Sequence, residues 1–132
     1  MSTSNDVEVL HTREDNRLRV IFGTSIARAP VLGALQGAEG IDLVTVDDVS
    51  GVAPLVADAD ALVISDPRGE DGRAITAALR QPGCRVRWIQ VLSAGYDGLA
   101  ANGVPAGIVV TNQGGAVAPA VADHAMAVIL TM

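Results

Sequence analysis

Lysine is absent from this sequence. All nine cationic residues are arginines, so any mechanism that needs a lysine ammonium is excluded. Cysteine occurs once, at Cys84, which rules out an internal disulfide and a thiolate zinc framework. At a strand entrance Cys84 reads as a small hydrophobe. No window approaches the ~18 consecutive apolar residues of a membrane span. The opening "MSTSNDVEVLHTREDN" is polar and mixed in charge rather than signal-like, so a soluble, cytoplasmic protein is expected. Positive charge is also scarce. Nine arginines against 15 acidic residues give a net charge of -6, the wrong sign for a protein that lives on nucleic-acid phosphates. Finally, no two of the 14 glycines are separated by a single residue, so the G-x-G-x-x-G phosphate-binding turn is missing.

What is present is a rhythm of short aliphatic runs in a chain of single-domain length, 132 residues. The runs are "LRVIF" (18 to 22), "IDLVTV" (41 to 46), "ALVIS" (61 to 65), "VRWIQVL" (86 to 92) and "GIVVT" (107 to 111). Several are almost continuously apolar, as strands covered on both faces by helices are. Helices are expected between them at Pro30 to Leu35, Val52 to Ala57, Asp71 to Arg80 and Asp97 to Asn102, the first closed by Gly37 and Gly40. This alternation predicts an α/β fold of the flavodoxin-like kind, a doubly wound, mostly parallel sheet of about five strands. Residues 1 to 16 offer few apolar side chains to offset ordering entropy and are expected to form a disordered polar tail. The core is then 17 to 115, and 116 to 132 a helix beyond it.

In open parallel sheets ligands sit beyond the carboxyl ends of the strands. The loop "SAGYD" (93 to 97) follows the fourth run at such a place. Gly95 allows positive φ or a close approach of the backbone to a ligand, and successive N–H groups can form an anion site, so Ala94 and Gly95 are candidates to hold a small carboxylate or phosphate. Tyr96 lies beside them and could line the pocket. The plainer alternative is a strand-to-helix turn with Ser93 or Asp97 capping the next helix. Trp88 is expected in the core. Asp66, Glu70 and Asp71 read as a solvated loop leading into a helix, with Asp71 at its N-terminus.

The stretch "VRWIQVLSAGYD", taken with "GVPAGIVVTNQGGAVAPAVADHAMAVIL", resembles the N-terminal part of the D-isomer-specific 2-hydroxyacid dehydrogenases. The features that carry the resemblance are Trp88-Ile89-Gln90, Ser93-x-Gly95-x-Asp97, Gly103-Val104, Val110-Thr111-Asn112 and Val121-Ala122-Asp123-His124-Ala125. It is good from about 84 to 130 and only architectural from 17 to 83. The resemblance implies a two-domain enzyme whose flavodoxin-like substrate domain carries an inserted Rossmann domain. Hydride would pass between NAD or NADP and the 2-position of a small 2-hydroxy or 2-keto acid, and the intact enzyme would be a homodimer joined through its cofactor domain. The loop matching Ala94-Gly95 binds the substrate carboxylate through backbone N–H groups, and the segment from Ala118 to Met132 matches the helix leading towards the cofactor domain.

The chain also departs from that family. The catalytic arginine, its carboxylate partner and the proton-transferring histidine would lie beyond residue 132, and neither His11 nor His124 matches that histidine. Asp123 stands where glutamate is usual. No catalytic residue, metal ligand or cofactor-binding residue is therefore expected in this chain, nor tight binding of a dinucleotide. The segment "APAVADHAMAVILTM" is apolar around nearly every side and lacks a C-cap glycine, as if the helix continued in a longer parent. Met126, Ile129, Leu130 and Met132 are expected to be partly exposed and to favour self-association. A different class, the phosphoacceptor receiver domain, shares the strand order and would use Asp66 as acceptor and Ser93-Ala94 after strand four. It needs an acidic pair after strand one, where Gly23-Thr24-Ser25 stands, and a lysine after strand five, which this chain lacks.

Overall fold

The computed structural model describes residues 16–132, so all but the last residue of the expected polar tail, and His11 with it, lie outside the described residues. All five aliphatic runs form strands: β1 Leu18–Gly23, β2 Ile41–Val46, β3 Ala61–Ile64, β4 Trp88–Val91 and β5 Val109–Thr111. They pair in parallel in the order β2-β1-β3-β4-β5, the flavodoxin-like arrangement. The helices are α1 Arg28–Gln36, α2 Gly69–Leu79, α3 Asp97–Asn102 and α4 Ala118–Leu130.

Period-two alternation assigns each strand residue to a face. On one face Ile21, Leu62, Ile64, Ile89 and Val91 are covered by Ile75 and Leu79 of α2 and by Leu99 of α3. On the other, Val20, Phe22, Ala61 and Val63 are covered by Val31, Leu32 and Leu35 of α1. That cover stops at β3. The neighbouring positions in the same rows, Trp88 and Val109, are 41% and 60% exposed. Trp88 is thus a sheet-surface residue and not the core residue expected, because no described helix lies over β4 and β5 on that side. Its indole N–H donates to Thr111 Oγ1 at 2.8 Å, and the Thr111 hydroxyl donates to Gln90 Oε1 at 2.6 Å.

The segment expected as a helix from Val52 to Ala57 is a 3-10 stretch, Ala53–Asp58. Pro54 in its first turn and the short span between β2 and β3 favour tight i to i+3 bonds, such as Leu55 N–H to Val52 O at 2.9 Å. Val52 and Val56 still reach the core, fully buried. The C-terminal helix α4 buries none of its residues, and Met126, Ile129, Leu130 and Met132 are exposed, as the sequence suggests. No described helix is long and apolar enough to cross a membrane.

Candidate functional site

The two ends of the sheet are finished differently. At the end where the strands begin, Arg19 of β1 pairs with Asp42 of β2 at 2.7 Å and with Asp58, while its amide donates to Asp60 Oδ2 at 2.7 Å. Arg85 adds ion pairs to Asp58 at 3.4 Å and Asp60 at 3.7 Å. These charges satisfy one another and close that edge.

At the end where the strands finish, closure is partial. Arg28 reaches across from the exit of β1 to that of β2, donating to the carbonyls of Thr24 and Val46, each at 2.9 Å, with its guanidinium over the Phe22 ring. Thr24 is fully buried and accepts the Ile26 amide at 2.9 Å. A second groove, of about 450 Å³, lies at the exit of β2, lined by Thr45, Val46, Asp47, Asp48, Ser50 and Gly51. Asp48 caps the next turn. The Ser50 hydroxyl, and after it the Ser50 amide, hold its carboxyl below the ordinary aspartate range.

The exits of β4 and β5 remain open. The backbone of Ser93 to Tyr96 is a bend between β4 and α3, with Ala94, Gly95 and Tyr96 all exposed. Among the described residues the amides of Ala94, Gly95 and Tyr96 have no acceptor. Carbonyls and side chains hold the loop instead. Asn112 Nδ2 donates to Ala94 O at 2.7 Å, the Gln113 amide to Ser93 O at 3.4 Å, and Ser93 Oγ to Gly95 O at 2.8 Å. A groove of about 430 Å³ adjoins the loop, lined by Tyr96, Val110, Thr111 and Asn112. Gly95 does not use positive φ, one of the two reasons offered for it in the sequence. A Cβ there would meet only Asp97 Oδ2 at 3.9 Å, so the space above Gly95 is open for a ligand.

Neither Ser93 nor Asp97 caps α3. Asp66 does so from the exit of β3, its Oδ2 accepting the Gly98 amide at 3.0 Å and its Oδ1 the Leu99 amide at 3.2 Å. The Asp66 side chain is 6% exposed, so it is not the solvated loop residue expected. A phosphoacceptor needs an accessible carboxylate. With both oxygens committed to α3, Asp66 is poorly placed to serve as one. Glu70 and Asp71 do lie in the first turn of α2. Cys84 packs against the core as a hydrophobe.

Sequence reasoning missed the parts played by Asn112 and Asp66. The first left a signal, because Asn followed two residues later by glycine marks an Asx turn, and the Gly114 amide indeed donates to Asn112 Oδ1 at 3.0 Å. The second left none, since its partners lie 32 and 33 residues away.

Open backbone donors beside a groove suit a small anion. The local charges do not add to this, since Asp97 is exposed at the loop and Arg68 is drawn to Asp66, 3.5 Å away. Attraction would come from amide dipoles alone. No three His, Cys, Asp or Glu side chains converge as a metal site among the described residues. No glycine-rich turn is present to receive a dinucleotide pyrophosphate, so the residues of this chain do not fit that cofactor.

The fold has a counterpart among solved structures. It resembles that of a D-isomer-specific 2-hydroxyacid dehydrogenase family protein from Aeromonas salmonicida subsp. salmonicida A449, with a TM-score of 0.53 and 17% identity. The match covers 74% of this chain and 29% of the Aeromonas protein. No protein-family model matches the chain, and no curated protein does.

Proposed function

We propose that this chain is the substrate-binding part of an NAD(P)-dependent oxidoreductase that acts on the CH–OH group of D-2-hydroxy acids or, in reverse, on 2-keto acids. The observation that carries the reading is the run of unpaired amides at Ala94, Gly95 and Tyr96 beside a groove at the ends of β4 and β5. The shared fold with a 2-hydroxyacid dehydrogenase family protein supports it.

In this reading the carboxylate of the acid accepts from the Ala94 and Gly95 amides. Its 2-carbon and side chain extend into the groove past Tyr96 and Thr111. Hydrogen bonds to a charged acceptor contribute ~1.5–3 kcal/mol each. Two of them contribute ~3–6 kcal/mol, much of which the cost of immobilising the ligand offsets, so binding is weak, no tighter than the millimolar range. The chain thus binds and orients the acid, whereas hydride and proton transfer need groups it does not hold. NAD or NADP would be bound by another part of the intact protein, and the 132-residue chain alone should not turn substrate over.

Calorimetric titration with pyruvate and with pyruvamide, in which a neutral amide replaces the carboxylate, tests this. Pyruvate should bind in the low millimolar range and pyruvamide at least tenfold more weakly, with no oxidation of NADH by the chain and pyruvate. Equal affinity for the two compounds would remove the carboxylate cradle from the account.

A further inference from the structure

The candidate loop is held from two sides. On the β5 side Asn112 donates to Ala94 O. On the β3 side the anchor is Asp66, whose oxygens take the Gly98 and Leu99 amides just after the loop. α3 has only six residues, and its N-cap, Tyr96, offers no capping side chain. Asp66 therefore supplies from a distant strand the acceptor that helix termini otherwise find locally.

The surrounding packing is built for this contact. A Cβ at Gly98 would lie 2.1 Å from Pro67 O and 2.9 Å from Asp66 Oδ1. A Cβ at Gly72 of α2 would lie 2.6 Å from the same Pro67 carbonyl. The Asp66-Pro67 segment thus runs in a slot between two helices that only glycine leaves open, and Asn102 Nδ2, donating to Gly98 O at 2.9 Å, braces the far side. Burial of the carboxylate makes its bonds to the two amides strong and directional.

The geometry points to Asp66 as a positioning residue for the carboxylate cradle: it fixes the start of α3 and thereby holds the Ala94, Gly95 and Tyr96 amides in the arc that receives the ligand. This rests on the substrate-binding reading above. Asp66 does not touch the ligand. It sets how much order the loop must still gain on binding, so its loss weakens binding through the loop.

The test uses the 132-residue chain and pyruvate as probe. Asp66→Asn keeps the side-chain shape and one accepting oxygen but turns its other group into a donor facing an amide. Its dissociation constant for pyruvate should rise about tenfold, while the β-strand amide resonances stay in place. Arg19→Ala destabilises the opposite end of the sheet and should leave pyruvate affinity unchanged, which separates positioning from a general loss of stability. The native chain offers a measurement that needs no variant. Because coupling is reciprocal, saturating pyruvate should slow hydrogen exchange at the Gly98 and Leu99 amides. Native affinity in Asp66→Asn, an equal loss in Arg19→Ala, or unaltered exchange at Gly98 and Leu99 would overturn the role given to Asp66 while leaving the cradle standing. Absence of pyruvate binding to the native chain would instead remove the cradle, and with it the need for a positioning residue.

Discussion

The beginning and the end of the sheet share a backbone architecture and differ in how their polar groups are satisfied. At the beginning, Arg19 and Arg85 meet Asp42, Asp58 and Asp60 in a network that ties β1, β2 and the segments leading into β3 and β4 together. At the end, Arg28 and Asp66 satisfy neighbouring backbone groups at the exits of β1, β2 and β3, grooves remain beside β2 and β5, and after β4 three successive amides stay open. Arg19, Arg85 and Arg28 are engaged away from the open donors, and Arg68, nearer to them, is drawn to Asp66. In the proposed reading the strand beginnings serve stability, and the exits of β4 and β5 are left for binding.

The largest expected effect breaks the open end mechanically. Gly98→Ala sets a methyl 2.1 Å from a backbone carbonyl that cannot move aside cheaply, and should cost about 3 kcal/mol in urea unfolding. At the opposite end Arg19→Ala removes a partner from two aspartates whose side chains are about a third exposed. Solvent screening limits the loss to roughly 1–2 kcal/mol, and pyruvate affinity should be unchanged. If Arg19→Ala weakened pyruvate binding, the separation of the two ends would not hold.

Asn112→Ala reverses that pattern. It removes the bond to Ala94 O at an exposed position, costing about 1 kcal/mol or less, yet should weaken pyruvate binding several-fold in calorimetry. Ile129→Glu with Leu130→Glu should leave unfolding within about 0.5 kcal/mol of native, since both side chains are exposed on α4. The same pair should shift sedimentation towards monomer if the apolar surface of α4 drives association.

The smallest effect is a pH dependence. The carboxyl of Asp48 is held below its ordinary range by Ser50, so the folded state releases this proton more readily than the unfolded one. Its contribution is therefore complete above about pH 4 and is lost as pH falls through the depressed value. Asp48→Asn should flatten the acid limb of the stability profile slightly, and full exposure keeps the effect small.

How far the sequence reached follows from which interactions are local. Strands such as Ala61–Ile64 announce themselves because burial on both faces leaves no room for polar residues. The four expected helices were placed within a few residues, except that Pro54 tightened one into a 3-10 stretch. The loop at Ala94 to Tyr96 was legible because a glycine interrupts the chain where a strand must end. Asp66 was misjudged for the opposite reason. Its exposed neighbours Arg68 and Glu70 make it look solvated, and only tertiary folding brings α3 onto its oxygens. Trp88 was misplaced because an apolar strand reads as covered on both faces, whereas the cover over one face ends at β3.

Amide chemical-shift mapping of the ¹⁵N-labelled chain during titration with pyruvate locates the bound acid residue by residue. Shifts should concentrate at Ala94, Gly95 and Tyr96, with smaller ones at Thr111 and Asn112, and none at Arg19, Asp42 or Asp60. Shifts that cluster at the beginning of the sheet, or spread evenly over the chain, would contradict the carboxylate cradle.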